Sequence, residues 1–271
     1  MMRILAFSPE EAFHARSRAT VTDAWVLGAR AEPSELGAVR GSRPLLSHQG
    51  RTMKALGTAL LESLEKKGAV LDAKRRAAVL GAAQELLDSN IAMRALQVGE
   101  TMPPFALPAT SGEIVRLSDL LRSGPVVVSF FRGMWCEYCQ AFVRTLAGEY
   151  EKIRSAGAQV LAISPQREGI EGASAFPFPW LRDDDNLVAR KVGVAFELPR
   201  ELRWAYRELG IDLPKLNQSD RFELPVPATF VVANDQRIRF AHLDPDYRRR
   251  PAIREVLLAV EEARGSRSNP H

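Results

Sequence analysis

Hydrophobic and polar positions divide the chain into regions with different periodicities. Residues 1–52 mix apolar and polar side chains without a sustained period, so we predict a poorly ordered extension there, or a true start at Met53. Residues 53–97 place leucine every three or four positions, which predicts a helical extension of two or three short helices. Residues 98–265 alternate between apolar runs and helical stretches and predict the main domain, and residues 266–271 predict a flexible tail.

The main domain opens with a strand, a helix and a second strand. Residues 125–131 and 158–164 are continuous apolar runs that contain β-branched side chains, as expected of strands buried on both faces of a parallel sheet. Between them, apolar residues recur at helical spacing from Cys139 to Ile153. Two parallel strands joined by a helix form a right-handed crossover unit.

The main domain closes with a hairpin and a helix. Residues 228–233 and 237–243 predict two strands joined by turn residues, and Pro251 opens a terminal helix. Residues 197–210 predict an amphipathic helix inserted before this hairpin. A crossover unit, an antiparallel hairpin and a covering helix give one central mixed β-sheet flanked by helices. We therefore expect an α/β fold with an N-terminal helical extension.

The composition is that of an ordinary globular protein, with 271 residues of which 46% are hydrophobic and 26% charged. A formal charge of +4 is too small to imply nucleic-acid binding. No apolar run approaches the ~18 residues of a membrane span. The first residues lack the basic, apolar and small-residue order of a signal peptide. We therefore expect a cytoplasmic protein with no nucleic-acid or membrane partner.

The only two cysteines of the chain lie in the segment FFRGMWCEYC at residues 130–139. Cys136 follows the end of a predicted buried strand and begins a predicted helix, where unpaired N–H groups and aligned peptide dipoles favour a thiolate. Cys139 lies one turn further on the same face, so the two sulfurs can close a disulfide with little backbone movement. Arg132 would add positive potential to the thiolate, and Glu137 would oppose it.

Three interpretations of the pair stay open at this point. A zinc site needs about four ligands, and no second ligand pair occurs among the histidines of the chain, which are His14, His48, His242 and His271. Two inert core cysteines would leave the placement at a strand end and helix start to chance. A redox-active dithiol makes use of that placement. We favour the dithiol and expect no metal and no cofactor.

Several segments of the chain resemble a known family: VGETMPPFALPATSGEIVRLSDLL, FFRGMWCEYC, FPWLRDDDNLVARKVGV, VPATFVV and AHLDPDYRRRP. They are similar to the peroxiredoxin-like redoxins of the alkyl hydroperoxide reductase and thiol-specific antioxidant (AhpC/TSA) superfamily. The resemblance covers roughly residues 98–265 and implies a thioredoxin-like fold. It also implies that Cys136 reduces hydrogen peroxide or organic hydroperoxides, and that Cys139 resolves it to an intramolecular disulfide. A thioredoxin-like donor would reduce that disulfide, and an oligomer is compatible with the family.

The site departs from the pattern of typical peroxiredoxins. Their pattern is Pro, three residues, Thr, two residues and then the peroxidatic Cys, with an Arg before a later strand. Aligned on Cys136, these three positions hold Ser129, Gly133 and Pro227 here. The missing groups normally hold the peroxide and stabilise the breaking O–O bond. Arg132 is the nearby cation that the sequence offers in their place.

Other features resemble thioredoxin itself. Trp135 precedes the Cys136–Cys139 pair as in its active site, and Val226–Pro227 precedes a strand as its cis-proline does. This likeness leads us to expect a cis bond at Pro227, although a strand-edge proline is the simpler interpretation. Besides a peroxidase, the site therefore allows an oxidoreductase that exchanges protein disulfides, or a redox-sensing interaction module. We favour the peroxidase because several separated segments support it.

A cluster of arginines precedes the terminal helix. It comprises Arg248, Arg249, Arg250 and Arg254. Such a run most simply forms a solvated face, and a site for phosphate or for an acidic partner surface is the alternative.

Overall fold

The structure is a computed structural model that describes residues 46–170 and 173–265. Its strands are β1 (Ala106–Pro108), β2 (Ile114–Arg116), β3 (Val126–Phe130), β4 (Gln159–Ser164), β5 (Trp180–Arg182), β6 (Ala195–Glu197), β7 (Glu223–Pro225), β8 (Ala228–Val232) and β9 (Ile238–Leu243). Its α-helices are α1 (Leu46–Lys66), α2 (Ala73–Asp88), α3 (Ile91–Arg94), α4 (Leu117–Ser123), α5 (Glu137–Gly148), α6 (Tyr150–Ser155), α7 (Leu187–Val192), α8 (Arg200–Glu208), α9 (Leu213–Asn217) and α10 (Ile253–Gly265). Single turns of 3-10 helix lie at Ala173–Ala175 and Asp184–Asn186.

The central sheet has five strands in the order β5, β4, β3, β8, β9. Strand β3 runs parallel to β4, with Val127 beside Val160, and antiparallel to β8, with Val127 beside Val231. Strands β8 and β9 form an antiparallel hairpin. All residues of β3 are buried, because it has a strand on either side and helices over both faces. The expected α/β fold with a mixed central sheet is confirmed.

Helices cover both faces of this sheet. On one face, Val126, Val128 and Phe130 belong to a buried cluster that includes residues of α4 and α7. On the other face, Val127 and Phe131 belong to a cluster with residues of α5, α6 and α10. Successive residues of a strand point to opposite faces, so one continuous apolar run supplies both cores. The second face carries the cysteines, because both belong to its cluster.

The helices before the main domain pack on the inserted helix α8. Asp72 caps α2, and its carboxylate accepts a hydrogen bond from the amide of Arg75 at 2.7 Å. The cluster that joins these elements is apolar and includes Leu61, Leu64, Val79, Ala82, Leu202, Ala205 and Tyr206. The helical extension therefore supports α8, which in turn carries Tyr206.

The predicted limits of the terminal segments stay predictions. Residues 1–45 and 266–271 lie outside the described residues, and they contain most of the predicted poorly ordered start and all of the predicted tail. Helix α1 begins before Met53, so the leucine-rich helix extends into the segment that we assigned to the start. Among the residues that the structure describes, no helix is both long and apolar enough to cross a membrane.

Candidate active site: a cysteine pair between two arginines

The two cysteines lie where β3 gives way to α5. Cys136 has an extended backbone and occupies the N-cap position of α5, and Cys139 lies in the first turn of that helix. Their side chains are 4% and 0% exposed, respectively, and both are free thiols. The helix begins where the sequence predicts it, and the backbone amide of Cys139 in its first turn helps to lower the pKa of Cys136.

The loop before Cys136 has room only for glycine at residue 133. Gly133 has φ +142°, and a Cβ there would lie 2.5 Å from the Trp135 ring nitrogen and 2.6 Å from the Gln166 amide oxygen. That oxygen accepts a hydrogen bond from the amide of Met134 at 2.6 Å. The Gln166 amide nitrogen donates in turn to the carbonyls of Glu168 and Gly169. A buried glutamine therefore fixes the loop in a conformation that excludes the threonine of typical peroxiredoxins.

Arg132 joins this loop to the rest of the site. Its side chain is buried, with 5% exposed, and its Nη2 donates to the Cys136 sulfur at 3.2 Å. Its Nη1 donates to the hydroxyl of Tyr206 at 2.9 Å. The guanidinium also lies over the rings of Tyr247 and Trp135, at 3.8 and 4.9 Å from their centroids. Three aromatic side chains thus hold one cation against one sulfur.

This environment favours the thiolate of Cys136. A hydrogen bond from Cys139 lowers the pKa of Cys136 most, and the charge of Arg132 lowers it further, so that it falls to about 4 in spite of burial. Burial lowers the pKa of Arg132, but its electrostatic interactions with Cys136, Tyr206, Tyr247 and Cys139 together outweigh this effect, and the net direction is upward. Glu137, whose negative charge we expected to oppose the effect of Arg132 on the thiolate, is exposed. Cys136 is therefore the sulfur of the pair that ionises more readily.

The second sulfur has the opposite preference. Burial raises the pKa of Cys139 well above its usual value, and the neighbouring charge on Cys136 raises it further. A second arginine, Arg250, donates from Nη2 to the Cys139 sulfur at 3.4 Å. At neutral pH the reduced site thus holds one thiolate and one thiol, each in contact with its own guanidinium.

The prediction that the arginine cluster forms a solvated face is wrong for Arg250. The buried carboxylate of Asp246 accepts from Nη2 of Arg248 at 2.7 Å and from the backbone amide of that residue at 3.2 Å. Arg249 pairs with Asp244 at 3.5 Å. This carboxylate-centred turn directs Arg250 back toward α5. Tyr247 comes from the same turn, so one short segment after β9 supplies contacts to both arginines of the site.

Val226 and Pro227 lie near the site, but their geometry differs from our expectation. Ala228 pairs with Phe130, so Pro227 lies just before the first residue of β8, beside the point where β3 ends and the loop before Cys136 begins. The Val226–Pro227 bond is trans, since none of the described peptide bonds is cis. The amide of Val226 donates to the carbonyl of Val194 at 2.8 Å, so the chain continues extended from β7 into β8. The strand-edge interpretation of Pro227 is the one that the structure supports.

The sequence pointed to neither Tyr206 nor Tyr247. Tyr206 belongs to a helix whose amphipathic pattern predicted packing alone, and Tyr247 lies in a loop. The one available signal was AHLDPDYRRRP, which belongs to the resembling segments. Within residues 46–170 and 173–265, no group of three or more His, Cys, Asp or Glu side chains could hold a metal ion.

Comparison with known proteins gives consistent matches over the main domain. The sequence model of the AhpC/TSA family matches residues 98–241. Peroxiredoxin Q, chloroplastic, of Sedum lineare is 35% identical over 104 residues, which are 37% of this chain and 55% of that protein. The matching part therefore spans about half the length of this relative.

Two further matches extend this comparison. The thiol-disulfide oxidoreductase ResA of Bacillus subtilis is 35% identical over 66 residues, or 24% of this chain and 36% of ResA. The structure of a cysteine-to-serine mutant of peroxiredoxin 6 from Arenicola marina superposes with a TM-score of 0.51 and 16% identity. This alignment covers 64% of this chain and 76% of that structure, and it shows the shared fold.

Proposed function

This chain belongs to the AhpC/TSA family, and on that premise we propose that it is a peroxiredoxin-type thiol peroxidase. The observation that carries the proposal is the contact between the Arg132 guanidinium and the Cys136 sulfur, at 3.2 Å in a buried pocket at the start of α5. The Cys136 thiol in this position is ionised at neutral pH. The Arg132 cation lies beside the sulfur, where negative charge develops on the departing peroxide oxygen during the reaction.

The first chemical step is attack on a hydroperoxide. The Cys136 thiolate bonds to the terminal peroxide oxygen and the O–O bond breaks. The sulfur is oxidised to a sulfenic acid and the peroxide is reduced. The departing oxygen takes a proton and leaves as water from hydrogen peroxide, or as an alcohol from an organic hydroperoxide. Arg132 donates to the oxygens during this step, in place of the family arginine whose position holds Pro227.

The cycle then closes through the second cysteine. Cys139 attacks the sulfenic sulfur of Cys136 and releases water, which leaves an intramolecular disulfide. A thioredoxin-like dithiol reduces this disulfide, and no cofactor takes part. Both sulfurs are almost completely buried in the reduced state. We infer that the loop between β3 and α5 opens after oxidation to admit the reductant. We place this cycle in the cytoplasm, where thiol reductants are abundant.

A second candidate is a dithiol-disulfide oxidoreductase. The partial match to ResA favours it, as does the exclusion of a threonine at Gly133. Burial of the sulfurs argues against it, because a protein disulfide cannot reach a sulfur that is 4% exposed unless the loop opens first. A hydroperoxide is small enough to need less opening. We therefore prefer the peroxidase.

Parallel assays on the reduced protein separate the two candidates. One assay measures the second-order rate of thiol oxidation by hydrogen peroxide and by cumene hydroperoxide in a stopped-flow instrument. The other measures turnover of insulin disulfides with a thiol reductant. We expect peroxide oxidation at least about a hundredfold faster than that of free cysteine, as active-site electrostatics would provide, and slow insulin turnover. Peroxide oxidation no faster than that of free cysteine, with brisk insulin turnover, would establish the second candidate.

A further inference from the structure

Arg250 contacts the resolving cysteine from a segment far along the chain. Its Nη2 lies 3.4 Å from the Cys139 sulfur, and its Nη1 donates to the carbonyls of Tyr247 and Arg249. The guanidinium also lies 5.8 Å from the centroid of the Phe142 ring on α5. Backbone carbonyls thus fix one side of the guanidinium, while the other side faces a sulfur that is completely buried.

The charge of Arg250 is unbalanced, unlike that of its neighbours. Arg248 pairs with Asp246, and Arg249 pairs with Asp244. Among residues 46–170 and 173–265, no carboxylate lies within ion-pair distance of Arg250. Arg250 is partly buried, and a partly buried guanidinium is more stable with an anion beside it. The sulfur of Cys139 is the group in contact that can become one.

In the reduced state, Cys139 remains a thiol. The charged groups around Cys139 are the thiolate of Cys136 and the guanidiniums of Arg132 and Arg250. Burial favours the protonated form of Cys139, and the hydrogen bond and charge of the Cys136 thiolate add to this effect. Oxidation of Cys136 to a neutral sulfenic acid removes that charge, while Arg250 stays in place. The balance at Cys139 then moves toward the thiolate.

We infer that Arg250 is a positioning residue for the resolving step, which stabilises the Cys139 thiolate once Cys136 has been oxidised. This role rests on the proposed peroxidase function. The Cys139 thiol loses its proton, and the thiolate attacks the sulfenic sulfur of Cys136. An S–S bond forms, the S–O bond breaks, and the hydroxide leaves as water with the released proton. Arg250 thereby couples activation of the second sulfur to completion of the first reaction.

Rapid-quench experiments on Arg250→Gln test this role. Samples are quenched at set times after a single peroxide addition, and mass spectrometry counts dithiol, sulfenic acid and disulfide. We expect the rate of Cys136 oxidation to stay within about twofold of the wild-type rate. Conversion of the sulfenic acid to the disulfide should slow about tenfold, which corresponds to a rise of about one unit in the pKa of Cys139. The pH at which resolution is half-maximal should rise in the variant. Arg250→Lys should recover part of the rate.

Arg254→Gln is the matched control, because Arg254 is exposed on the helix that follows and should leave both steps unchanged. If the wild-type protein forms no sulfenic acid, the peroxidase proposal itself fails. If it does, and Arg250→Gln resolves at the wild-type rate with an unshifted pH midpoint, the role of Arg250 is overturned. A slow resolution that leaves the pH midpoint unchanged and that lysine does not rescue would show only a structural role.

Discussion

The two sides of the candidate active site are built differently and shift the pKa values of their sulfurs in opposite directions. On one side, the short loop between β3 and α5 places Arg132 and Cys136 only four residues apart, and their contact adds to the hydrogen bond from Cys139 in favouring a thiolate. On the other side, the turn after β9 brings Arg250 to Cys139 across 111 residues of sequence, and that sulfur keeps its proton. An arginine contact therefore does not by itself make a thiolate. Burial and the charge on the first sulfur keep the proton on the second.

Substitution of either cysteine should have the largest effect on the reaction with peroxide, and the two substitutions should stop it at different steps. Cys136→Ser should abolish rapid peroxide consumption, because it removes the sulfur that contacts Arg132, and the remaining sulfur of Cys139 is completely buried. Cys139→Ser should still consume one equivalent of peroxide and stop at the sulfenic acid. Peroxide consumption and trapping of the sulfenic acid with a cyclic dicarbonyl reagent measure both results. If Cys139→Ser alone prevented the first oxidation, the assigned order of attack would be reversed.

Removal of the first cation should have the next largest effect. Arg132→Gln should lower the second-order rate with hydrogen peroxide by about 10²- to 10³-fold, because it removes the positive charge beside the developing negative charge. The pKa of Cys136 should rise as well, which the ultraviolet absorbance of the thiolate reports. Arg144→Gln, on the exposed side of α5, is the control. An unchanged rate in Arg132→Gln would mean that the helix N-terminus alone activates Cys136.

The tight loop on the first side can be tested by restoring the family threonine. Gly133→Thr should lower the free energy of unfolding by about 2–4 kcal/mol, since a β-branched side chain enters a positive-φ position and meets Trp135 and Gln166. Denaturant unfolding measures this change. Gly148→Ala, where an added Cβ meets nothing within 4 Å, should alter stability by less than about 1 kcal/mol. A threonine variant as stable as the wild type would show that the loop can make room.

The ionised first sulfur should also make stability depend on pH. The pKa of Cys136 is lower in the folded state, so its stabilising effect is complete above the unfolded pKa and disappears as the pH falls to about 4. Between about pH 5 and pH 8, the difference in unfolding free energy between reduced wild type and Cys136→Ser should grow by at most about 1.4 kcal/mol per pH unit. A difference that stays constant over this range would mean that Cys136 is not ionised in the folded protein.

Sequence reasoning predicted the fold and the first side of the site for the same physical reason. The run from Val126 to Phe130 needs buried neighbours on both faces, and this requirement implies the sheet and its covering helices. The strand end and helix start around Cys136 follow directly, and Arg132 lies within the same short loop. Each of these inferences depends on residues that are close in sequence.

The second side could not be predicted in the same way. The sequence does not distinguish the three consecutive arginines. In the structure, the buried Asp246 accepts a hydrogen bond from Arg248, whereas Arg250 contacts the Cys139 sulfur. The expectation of a cis bond at Pro227 failed for a related reason, because a backbone contact with Val194 helps set the path of the chain there. Contacts between distant segments decide both cases.

Site-resolved trapping of the sulfenic acid tests the difference between the two sulfurs most directly. The reduced wild-type protein receives less than one equivalent of hydrogen peroxide together with a cyclic dicarbonyl reagent, and peptide mass spectrometry locates the label. We predict that the label lies on Cys136 and that the unlabelled remainder forms the Cys136–Cys139 disulfide. A label on Cys139, or oxidation no faster than that of free cysteine, would contradict it.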